Sequence, residues 1–459
     1  MNPLKSIETN PRAVATLKLA DVIEDWPDAA IMEPDISGMP ARDVRLARVI
    51  YRTTMQRWYT LVHLLDAHLK KPLWEMEPLM QAVLLGGASQ LLFMDRLPSH
   101  AVVDESVDLA RTLIRPGAAG LANAVLRKIS LLNDAPVKGK PWTPAANRLP
   151  LEDGFVPLTC DALPSPNADS DDPVKQNQAL AYHLEVATSH PRELVLQWIE
   201  HYGAQKAISI CRHGIVTPPV ILSVEPELHW KKHDDLLEPH EKRGFAIWSG
   251  WHQDLHNFLK VNPARRVQDP ASTAAVNATA DLKPKLILDY CAGRGTKTRQ
   301  LAYLHPQARI VASDTSGQRL ADFAQIVRST PQVSIAPPAQ LPELLGQEKV
   351  DLLLLDVPCS NSGVLARRPG AKYRYSPAAI ASLVKLQREI VEASLPYLSP
   401  TGYLLYSTCS LEPEENQQQV QWILSRWPGQ VVHEKQMLPV GQGKSYHDGS
   451  YHALIKLGA

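Results

Sequence analysis

Four apolar runs in the second half of the chain alternate with segments of helical pattern, and this alternation most limits the possible folds. The runs are KLILDY, ARIVASD, VDLLLLD and GYLLYSTCS, and a helical segment such as SGQRLADFAQIVRS separates each from the next. Short uninterrupted apolar strands separated by helices are typical of a mostly parallel sheet with helices on both faces. The sequence therefore predicts an α/β domain here.

Polar or reactive side chains stand where these strands end. Asp289, Asp314, Asp356 and Cys409 close the four runs, and Cys359 follows just after the third. Because ligands of such sheets bind beyond the carboxyl ends of the strands, we expect these groups to share one site.

The 459-residue chain is too long for one ordinary core, so several domains are expected. Residues 11–132 carry apolar side chains at three- and four-residue spacing, which predicts an all-α bundle. Residues 133–177 are rich in proline and predict a linker. We further expect a connecting α/β subdomain over 178–265 and the catalytic α/β domain over 266–459.

Composition narrows the function classes. Lys plus Arg and Asp plus Glu balance at 48 each, so a nucleic-acid surface would have to be local. Five cysteines without a CxxC pair argue against a disulfide framework and against a structural zinc site, and we expect no metal. The chain begins without the pattern of a secretory signal and has no apolar run long enough to span a bilayer, so we expect a cytoplasmic protein with reduced thiols.

The first strand-to-helix turn, in LDYCAGRGTKT, has the character of a nucleoside-cofactor loop. Gly293 and Gly295 permit close approach of a ligand to the backbone, and Asp314, at the end of the next strand, could accept hydrogen bonds from both hydroxyls of a ribose. The loop does not match GxGxxG, so pyrophosphate recognition is not expected. An ordinary α/β turn is the alternative interpretation.

Two cysteines at neighbouring strand ends, Cys359 and Cys409, suggest covalent catalysis, because a thiolate is a good nucleophile and a tolerable leaving group. Addition of a thiolate to C6 of cytosine activates C5 toward methylation, and loss of the C5 proton then allows the thiolate to leave. A single buried cysteine is more often inert, but two beside a nucleoside-type site favour chemistry.

These segments resemble a known family. DVPCSNSG and YSTCSLEPEEN are similar to the signature segments of the RsmB/NSUN-type RNA cytosine-5 methyltransferases. LDYCAGRGTKT, VQDPAST and DGSYHALIKL are similar to that family's cofactor loop, the segment before it and its closing strand. RWYTLVHLLDAHLKKPL and GLANAVLRKI resemble the NusB-like helical, RNA-binding domain of the bacterial RsmB-like members, which act on 16S ribosomal RNA.

The resemblance implies a Rossmann-like methyltransferase domain, S-adenosylmethionine as cofactor, an RNA partner and a monomeric enzyme. It assigns Cys409 as the nucleophile, Cys359 as the group that helps release the product, and Asp356 as a carboxylate serving both cytosine and cofactor. Asp314 matches the ribose-binding residue. The cofactor loop comprises Cys291, Ala292, Gly293, Arg294, Gly295, Thr296 and Lys297.

The chain departs from the family pattern at two places on the cofactor side. Arg294 and Thr296 replace the family's proline and second glycine, and the segment VSIAPPAQL lacks the acidic residue expected near the adenine. These departures keep a non-catalytic RNA-binding or assembly factor as an alternative. A transfer RNA substrate is a second alternative.

One basic stretch predicts RNA contact without reference to the family. No acidic residue lies between Asp356 and Glu389, and aromatic residues interleave with the basic ones. Such a stretch suits phosphate contacts and base stacking, although a solvated surface is the usual interpretation of a charged run. The predicted RNA-binding residues are Arg367, Arg368, Lys372 and Arg374.

Overall fold

The computed structural model describes residues 9–27, 34, 36, 39–224, 236–250, 252–261, 265–328 and 330–458. The chain divides into two compact units. The first comprises residues up to 217 together with 368–375, and the second comprises 218–367 and 376–459.

The first unit begins as the predicted helical bundle. Its central helix is buried along almost its whole length, from Met80 to Leu92, as its nearly uncharged sequence requires. A Cβ on Gly87 would lie 2.7 Å from Leu126, so the glycine lets two helices pack closely. The helices are α1 (Pro11–Glu24), α2 (Ala41–Gln56), α3 (Trp58–Asp66), α4 (Pro78–Phe93), α5 (Ser99–Leu109, continued by a π-helical turn, Ala110–Ile114) and α6 (Ala118–Ile129).

The predicted linker is an ordered part of the first unit. An antiparallel pair, β1 (Arg148–Pro150) and β2 (Phe155–Pro157), is flanked by irregular chain that buries Trp142 and Leu163. Helices α7 (Pro173–Thr188), α8 (Arg192–Tyr202) and α9 (Ala204–His213) complete the unit. The unit boundary at 217 therefore falls inside the predicted connecting subdomain, and residues 133–217 belong with the helical bundle.

A short 3₁₀ helix, Pro369–Arg374, also belongs to the first unit. Lys372 Nζ donates to the carbonyl oxygens of Gln56 at 2.9 Å and Thr188 at 3.4 Å, the last residues of α2 and α7. The hydroxyl of Tyr373 donates to the carbonyl of Met55. The Lys372 amino group thus satisfies carbonyls at the ends of two helices, where they have no partner within the helix.

This environment corrects the prediction for Lys372. Its side chain is 1% exposed and its amino group is held by backbone carbonyls, so it cannot contact RNA phosphates. Arg368 and Arg374, from the same basic stretch, are exposed.

The second unit contains a small antiparallel sheet of order β4-β5-β3-β6. Leu222, Ala246 and Trp248 from this sheet pack against Leu255 of the following helix. The elements are β3 (Ile221–Ser223), β4 (Leu237–Pro239), β5 (Phe245–Trp248), α10 (His252–Val261) and β6 (Arg266–Val267).

A seven-stranded mixed sheet of order β12-β13-β11-β10-β7-β8-β9 forms the core of the second unit. The five strands from β11 to β9 are parallel, and β13 runs antiparallel to both of its neighbours. The strands are β7 (Leu286–Asp289), β8 (Arg309–Ala312), β9 (Val333–Ile335), β10 (Val350–Asp356), β11 (Leu398–Thr408), β12 (Gly429–Met437) and β13 (Ser450–Leu457).

Helices cover both faces of this sheet, which confirms the predicted Rossmann-like α/β fold. Leu353 and Leu355 of β10 pack in the cluster that contains Val391 and Val420 from two helices, whereas Leu352 and Leu354 pack on Leu301 of another. This double burial explains the uninterrupted leucine run. The helices are α11 (Pro270–Asn277), α12 (Thr296–Leu304), α13 (Gly317–Ile326), α14 (Leu341–Leu345), α15 (Pro377–Ser394) and α16 (Gln417–Arg426).

Among the described helices, none has both the length and the apolar character needed to cross a membrane.

Candidate active site

The two cysteines singled out in the sequence meet at the carboxyl ends of adjacent parallel strands. Asp356 of β10 is in register with Ser407 of β11, and each cysteine follows its strand within a few residues. The Sγ atoms of Cys359 and Cys409 are 3.2 Å apart, and both side chains are partly exposed. The Cys409 thiol also lies 3.4 Å from Oδ1 of Asn361, to which it donates.

The two thiols of this pair have different environments. The hydrogen bond with Cys409 raises the pKa of Cys359 well above its usual value, and burial and the nearby Glu415 raise it further. Cys359 is therefore a thiol at neutral pH, which disfavours it as the attacking group. Burial, reinforced by Asp289, Asp356 and Asp314, also raises the pKa of Cys291, which disfavours this third cysteine as a nucleophile.

A buried glutamate joins the two cysteine loops. Glu415 is fully buried and accepts hydrogen bonds from Ser360 (backbone N at 3.0 Å and Oγ at 2.5 Å), from Ser410 Oγ at 2.5 Å and from Gln387 Nε2 at 2.9 Å. Burial raises the pKa of Glu415, while the hydrogen bonds from the serines oppose that rise. Sequence reasoning missed this residue, although a serine beside each cysteine and an acidic residue in SLEPEEN were the available signals.

Backbone hydrogen bonds fix the same two loops. The Gly363 N–H donates to the Cys409 carbonyl at 2.9 Å, and the Gly449 N–H donates to the Gly363 carbonyl at 2.7 Å. A Cβ on Gly363 would lie 2.7 Å from the Cys409 oxygen and 2.8 Å from the Gly449 oxygen. Only glycine fits between these segments.

The predicted cofactor loop has the backbone that close approach requires. Gly293 and Gly295 have φ values of +57° and +77°, in the left-handed region that favours glycine. A Cβ on Gly295 would overlap the ring of Phe323, whereas the space beside Gly293 is open. Arg294, the departure from the family pattern, has an exposed side chain.

The acidic groups around this loop fit a nucleoside cofactor with a cationic end. Asp314 accepts the backbone N–H groups of Gly293 at 2.9 Å and Ser316 at 2.8 Å, which orients its carboxylate at the loop. Asp289 accepts the Thr298 hydroxyl at one oxygen, but its buried Oδ1 has no hydrogen-bond partner within the described part of the chain. Burial raises the pKa of Asp289 to about 7. A buried oxygen without a protein partner suits a hydrogen-bond donor supplied by a ligand.

Lys297 connects the cofactor loop to the thiols through Asp356. Its Nζ lies 2.8 Å from Asp356 Oδ2, and the Ser407 hydroxyl donates to Asp356 Oδ1 at 2.9 Å. Burial alone would lower the pKa of Lys297, but Asp356 raises it above its usual value, so the lysine is charged. The predicted catalytic carboxylate is thus held in a fixed orientation beside the cysteine loops.

Arg367, which the sequence predicts to contact RNA, is bound to carboxylates of the protein. Its guanidinium group pairs with the buried carboxylates of Asp448 at 2.6 Å and Asp269 at 3.2 Å. It also donates to the Pro219 carbonyl at 2.9 Å. Three of its five N–H donors are thus directed into the protein.

Comparisons with known proteins find relatives along most of the chain. The family model described as 16S rRNA methyltransferase RsmB/F matches residues 279–451, and the NusB family model matches residues 9–131. The ribosomal RNA small subunit methyltransferase B of Vibrio cholerae is 31% identical over 430 residues, which cover 90% of this chain and 89% of that protein. The protein of the same name from Proteus mirabilis is 27% identical and covers 97% of this chain and 98% of its own length.

A solved structure shares the fold of nearly the whole chain. The crystal structure of PH0851 superposes with a TM-score of 0.67 at 20% identity and covers 97% of this chain and 98% of that one. The extent and identity of the Vibrio match, together with both family models, lead to one conclusion. The chain belongs to the 16S rRNA methyltransferase RsmB/F family, whose members use S-adenosylmethionine as methyl donor.

Proposed function

We propose that the chain methylates C5 of a cytosine in 16S ribosomal RNA through a covalent bond between Cys409 and C6 of the base. The observation that carries this proposal is the pair of thiols, 3.2 Å apart at neighbouring strand ends. Lys297, in the cofactor loop, forms an ion pair with Asp356, the last residue of the strand that precedes Cys359. The names of the relatives support a ribosomal RNA substrate.

Cys409 is the nucleophile of the proposed reaction. C5 of cytosine is a weak nucleophile, and addition of the Cys409 thiolate to C6 moves the electron pair of the C5–C6 double bond to C5. The thiolate approaches the face of the ring, so the target base has to leave its stack. Asn361 Oδ1, which accepts the Cys409 thiol, fixes the direction of the sulfur before attack.

The cofactor side of the proposal uses the loop 291–297 and Asp314. Asp314 would hold the ribose, and the unpartnered oxygen of Asp289 would accept a donor from the cofactor. When bound there, S-adenosylmethionine supplies the methyl group to C5. Lys297 holds Asp356 in a fixed orientation, which leaves that carboxylate in place for the target base.

Cys359 serves the release step. Water takes the C5 proton, the C5–C6 double bond re-forms, and the bond from C6 to sulfur breaks to return the Cys409 thiolate, to which the Cys359 thiol donates a hydrogen bond. Cys359 lies beside the bond that breaks, and its raised pKa keeps it protonated while Cys409 attacks. The two thiols therefore act at opposite ends of the reaction.

Trapping experiments test this division. Cys359→Ala, incubated with labelled 16S RNA and S-adenosylmethionine, should give a denaturant-resistant RNA–protein band because the adduct forms but does not resolve. Cys409→Ala should give neither the band nor methyl transfer. Cys160→Ala, which removes an exposed cysteine of the first unit, serves as the matched control and should behave as wild type.

Two outcomes would contradict the proposal. A stable band from Cys409→Ala would reverse the roles of the thiols, and binding of RNA without any adduct or methylation would favour a non-catalytic RNA-binding factor. Mapping 5-methylcytosine in ribosomal and transfer RNA, with and without the gene, identifies the substrate. We propose that the protein acts on 16S RNA in the cytoplasm as a monomer.

A further inference from the structure

We propose that Arg367 is a positioning residue that holds the Cys359 loop at its working distance from Cys409, through Asp448 and Gly449. This inference rests on the proposed function for its catalytic consequence. Its structural part concerns only the spacing of two thiols and stands without that function.

Three donors of Arg367 point in different directions, and each has a partner. Nε donates to Asp448 Oδ2 at 2.6 Å, Nη2 to Asp269 Oδ2 at 3.2 Å and Nη1 to the Pro219 carbonyl at 2.9 Å. The guanidinium carbon also lies 5.0 Å from the centre of the Tyr446 ring. A rigid planar fork meets these requirements, and the single ammonium group of a lysine does not.

The two carboxylates are themselves fixed. Asp448 accepts the Tyr446 hydroxyl at 2.5 Å, and its backbone N–H donates to Asp269 Oδ1 at 3.1 Å. Asp269 Oδ1 also accepts the Ala271 N–H at 2.8 Å and so caps α11. Arg367 is thus attached to a helix terminus and to the segment before β13.

The path from Arg367 to the thiols is short. Gly449 follows Asp448 directly and donates to the Gly363 carbonyl at 2.7 Å, while Gly363 donates to the Cys409 carbonyl at 2.9 Å. Gly363 and Arg367 lie on the chain that leads away from Cys359. The segment after Cys359 is therefore clamped at two points, once by Arg367 on Asp448 and once by Gly363 on Gly449.

The charges make this clamp sensitive to the arginine. Asp269 and Asp448 are 8% and 4% exposed, and Arg367 forms an ion pair with each of them. Burial raises the pKa of Asp448 to about 6, with Asp269 adding to the rise. Loss of the guanidinium fork, or of the Asp448 charge that it pairs with, weakens this contact, and the Asp448–Gly449 segment shifts.

The experiment compares Arg367→Lys with wild-type full-length protein. Phenylarsine oxide bridges two closely spaced thiols with loss of water and needs neither RNA nor cofactor. Arg367→Lys should weaken its binding by roughly tenfold, the size of loss expected when fixed groups shift by a fraction of an ångström. Cys359→Ala defines the background from other thiols. Arg426→Lys, at an exposed ion pair with Glu392, is the matched control and should bind as wild type.

Catalytic readouts separate positioning from general stability. Arg367→Lys should lower kcat by roughly tenfold and leave the KM for S-adenosylmethionine unchanged, with a larger steady-state fraction of RNA–protein adduct because release is slowed. Asp448→Asn should give the same pattern. The kcat of the double variant should be no lower than that of the less active single variant, since both substitutions act through one contact.

Wild-type arsenical binding and wild-type adduct turnover in a folded Arg367→Lys would overturn the inference. If Arg367→Lys does not fold, the same measurements are made on Asp448→Asn, which retains the arginine, and wild-type values there would equally overturn it. If Cys359→Ala traps no adduct but Arg367→Lys still loses arsenical affinity, the covalent reaction is wrong and the positioning role stands.

Discussion

Gly363→Ala tests how tightly the two cysteine loops are joined. The added Cβ would lie 2.7 Å from the Cys409 oxygen, 2.8 Å from the Gly449 oxygen and 2.9 Å from the Gly449 carbonyl carbon. These are backbone atoms, which cannot rotate away as the end of a flexible side chain would. Ordinary contact begins near 3.4 Å, so the loops have to separate by about 0.7 Å.

The cost follows from the contacts that this separation stretches. The two hydrogen bonds of Gly363, at 2.9 and 2.7 Å, would lengthen beyond useful range. Each contributes about 0.5–1.5 kcal/mol, and overpacking of a close contact adds about 1–3 kcal/mol. The sum predicts a loss of about 2–6 kcal/mol in the free energy of unfolding. For a unit of this size, that corresponds to a decrease in Tm of about 4–24 °C.

Calorimetry of the full-length protein measures this loss, and RNA trapping measures its effect on the thiols. Gly317→Ala is the control: it makes the same substitution in the same unit, at the start of α13, where a Cβ would meet no atom within 4 Å. It should leave Tm unchanged or slightly higher, because alanine lowers the entropy of the unfolded chain. A Gly363→Ala protein with the Tm and turnover of wild type would refute the reasoning.

Three further predictions concern the cofactor, the basic stretch and the buried lysine. Asp314→Ala should weaken S-adenosylmethionine binding by about 1.5–3 kcal/mol in calorimetry, the contribution of a hydrogen bond to a charged group; unchanged affinity would exclude Asp314 as the ribose ligand. The double variant Arg368→Gln, Arg374→Gln should lower the slope of log K against log salt for RNA by about 1–2, whereas an unchanged slope would assign both to a solvated surface. Burial lowers the pKa of Lys372 well below its usual value, so the folded first unit binds fewer protons than the unfolded chain, and its stability should rise with pH up to about 10. In unfolding measured from pH 7 to 10, Lys372→Met should flatten that rise in stability. Lys385→Met, at an exposed lysine, should not. If the rise persists in Lys372→Met, another group causes it.

The strand ends could be predicted from the sequence because the determining pattern is local. The leucine run that ends at Asp356 requires burial on both faces, and a parallel sheet places the end of that run beside the next strand. Cys359 and Cys409 are fifty residues apart in sequence, yet they follow neighbouring strands and so meet. Only the parallel pairing of these two strands was needed to bring them together.

The fate of the basic stretch could not be predicted in the same way. A lysine in a polar run is normally exposed, yet the carbonyls that hold Lys372 belong to Gln56 and Thr188, which are 316 and 184 residues away. Arg367 is bound by Asp269 and Asp448, which are also distant in sequence. The sequence shows which side chains are charged, but tertiary contacts decide whether such a side chain meets water, RNA or a buried carboxylate.

The two signature segments contribute more to the site than their cysteines. Each cysteine is followed by a serine, and both serines donate to Glu415, so the YSTCSLEPEEN segment holds the DVPCSNSG segment as well as its own thiol. Gly363, the last residue of the DVPCSNSG segment, has to be glycine because a Cβ there would lie 2.7 Å from the Cys409 carbonyl oxygen. A short Sγ–Sγ distance between partly exposed thiols costs conformational freedom, and the serines, the glutamate and the glycine supply the contacts that maintain it. We therefore expect substitutions at these four positions to change the rates of thiol attack and release more than they change cofactor binding.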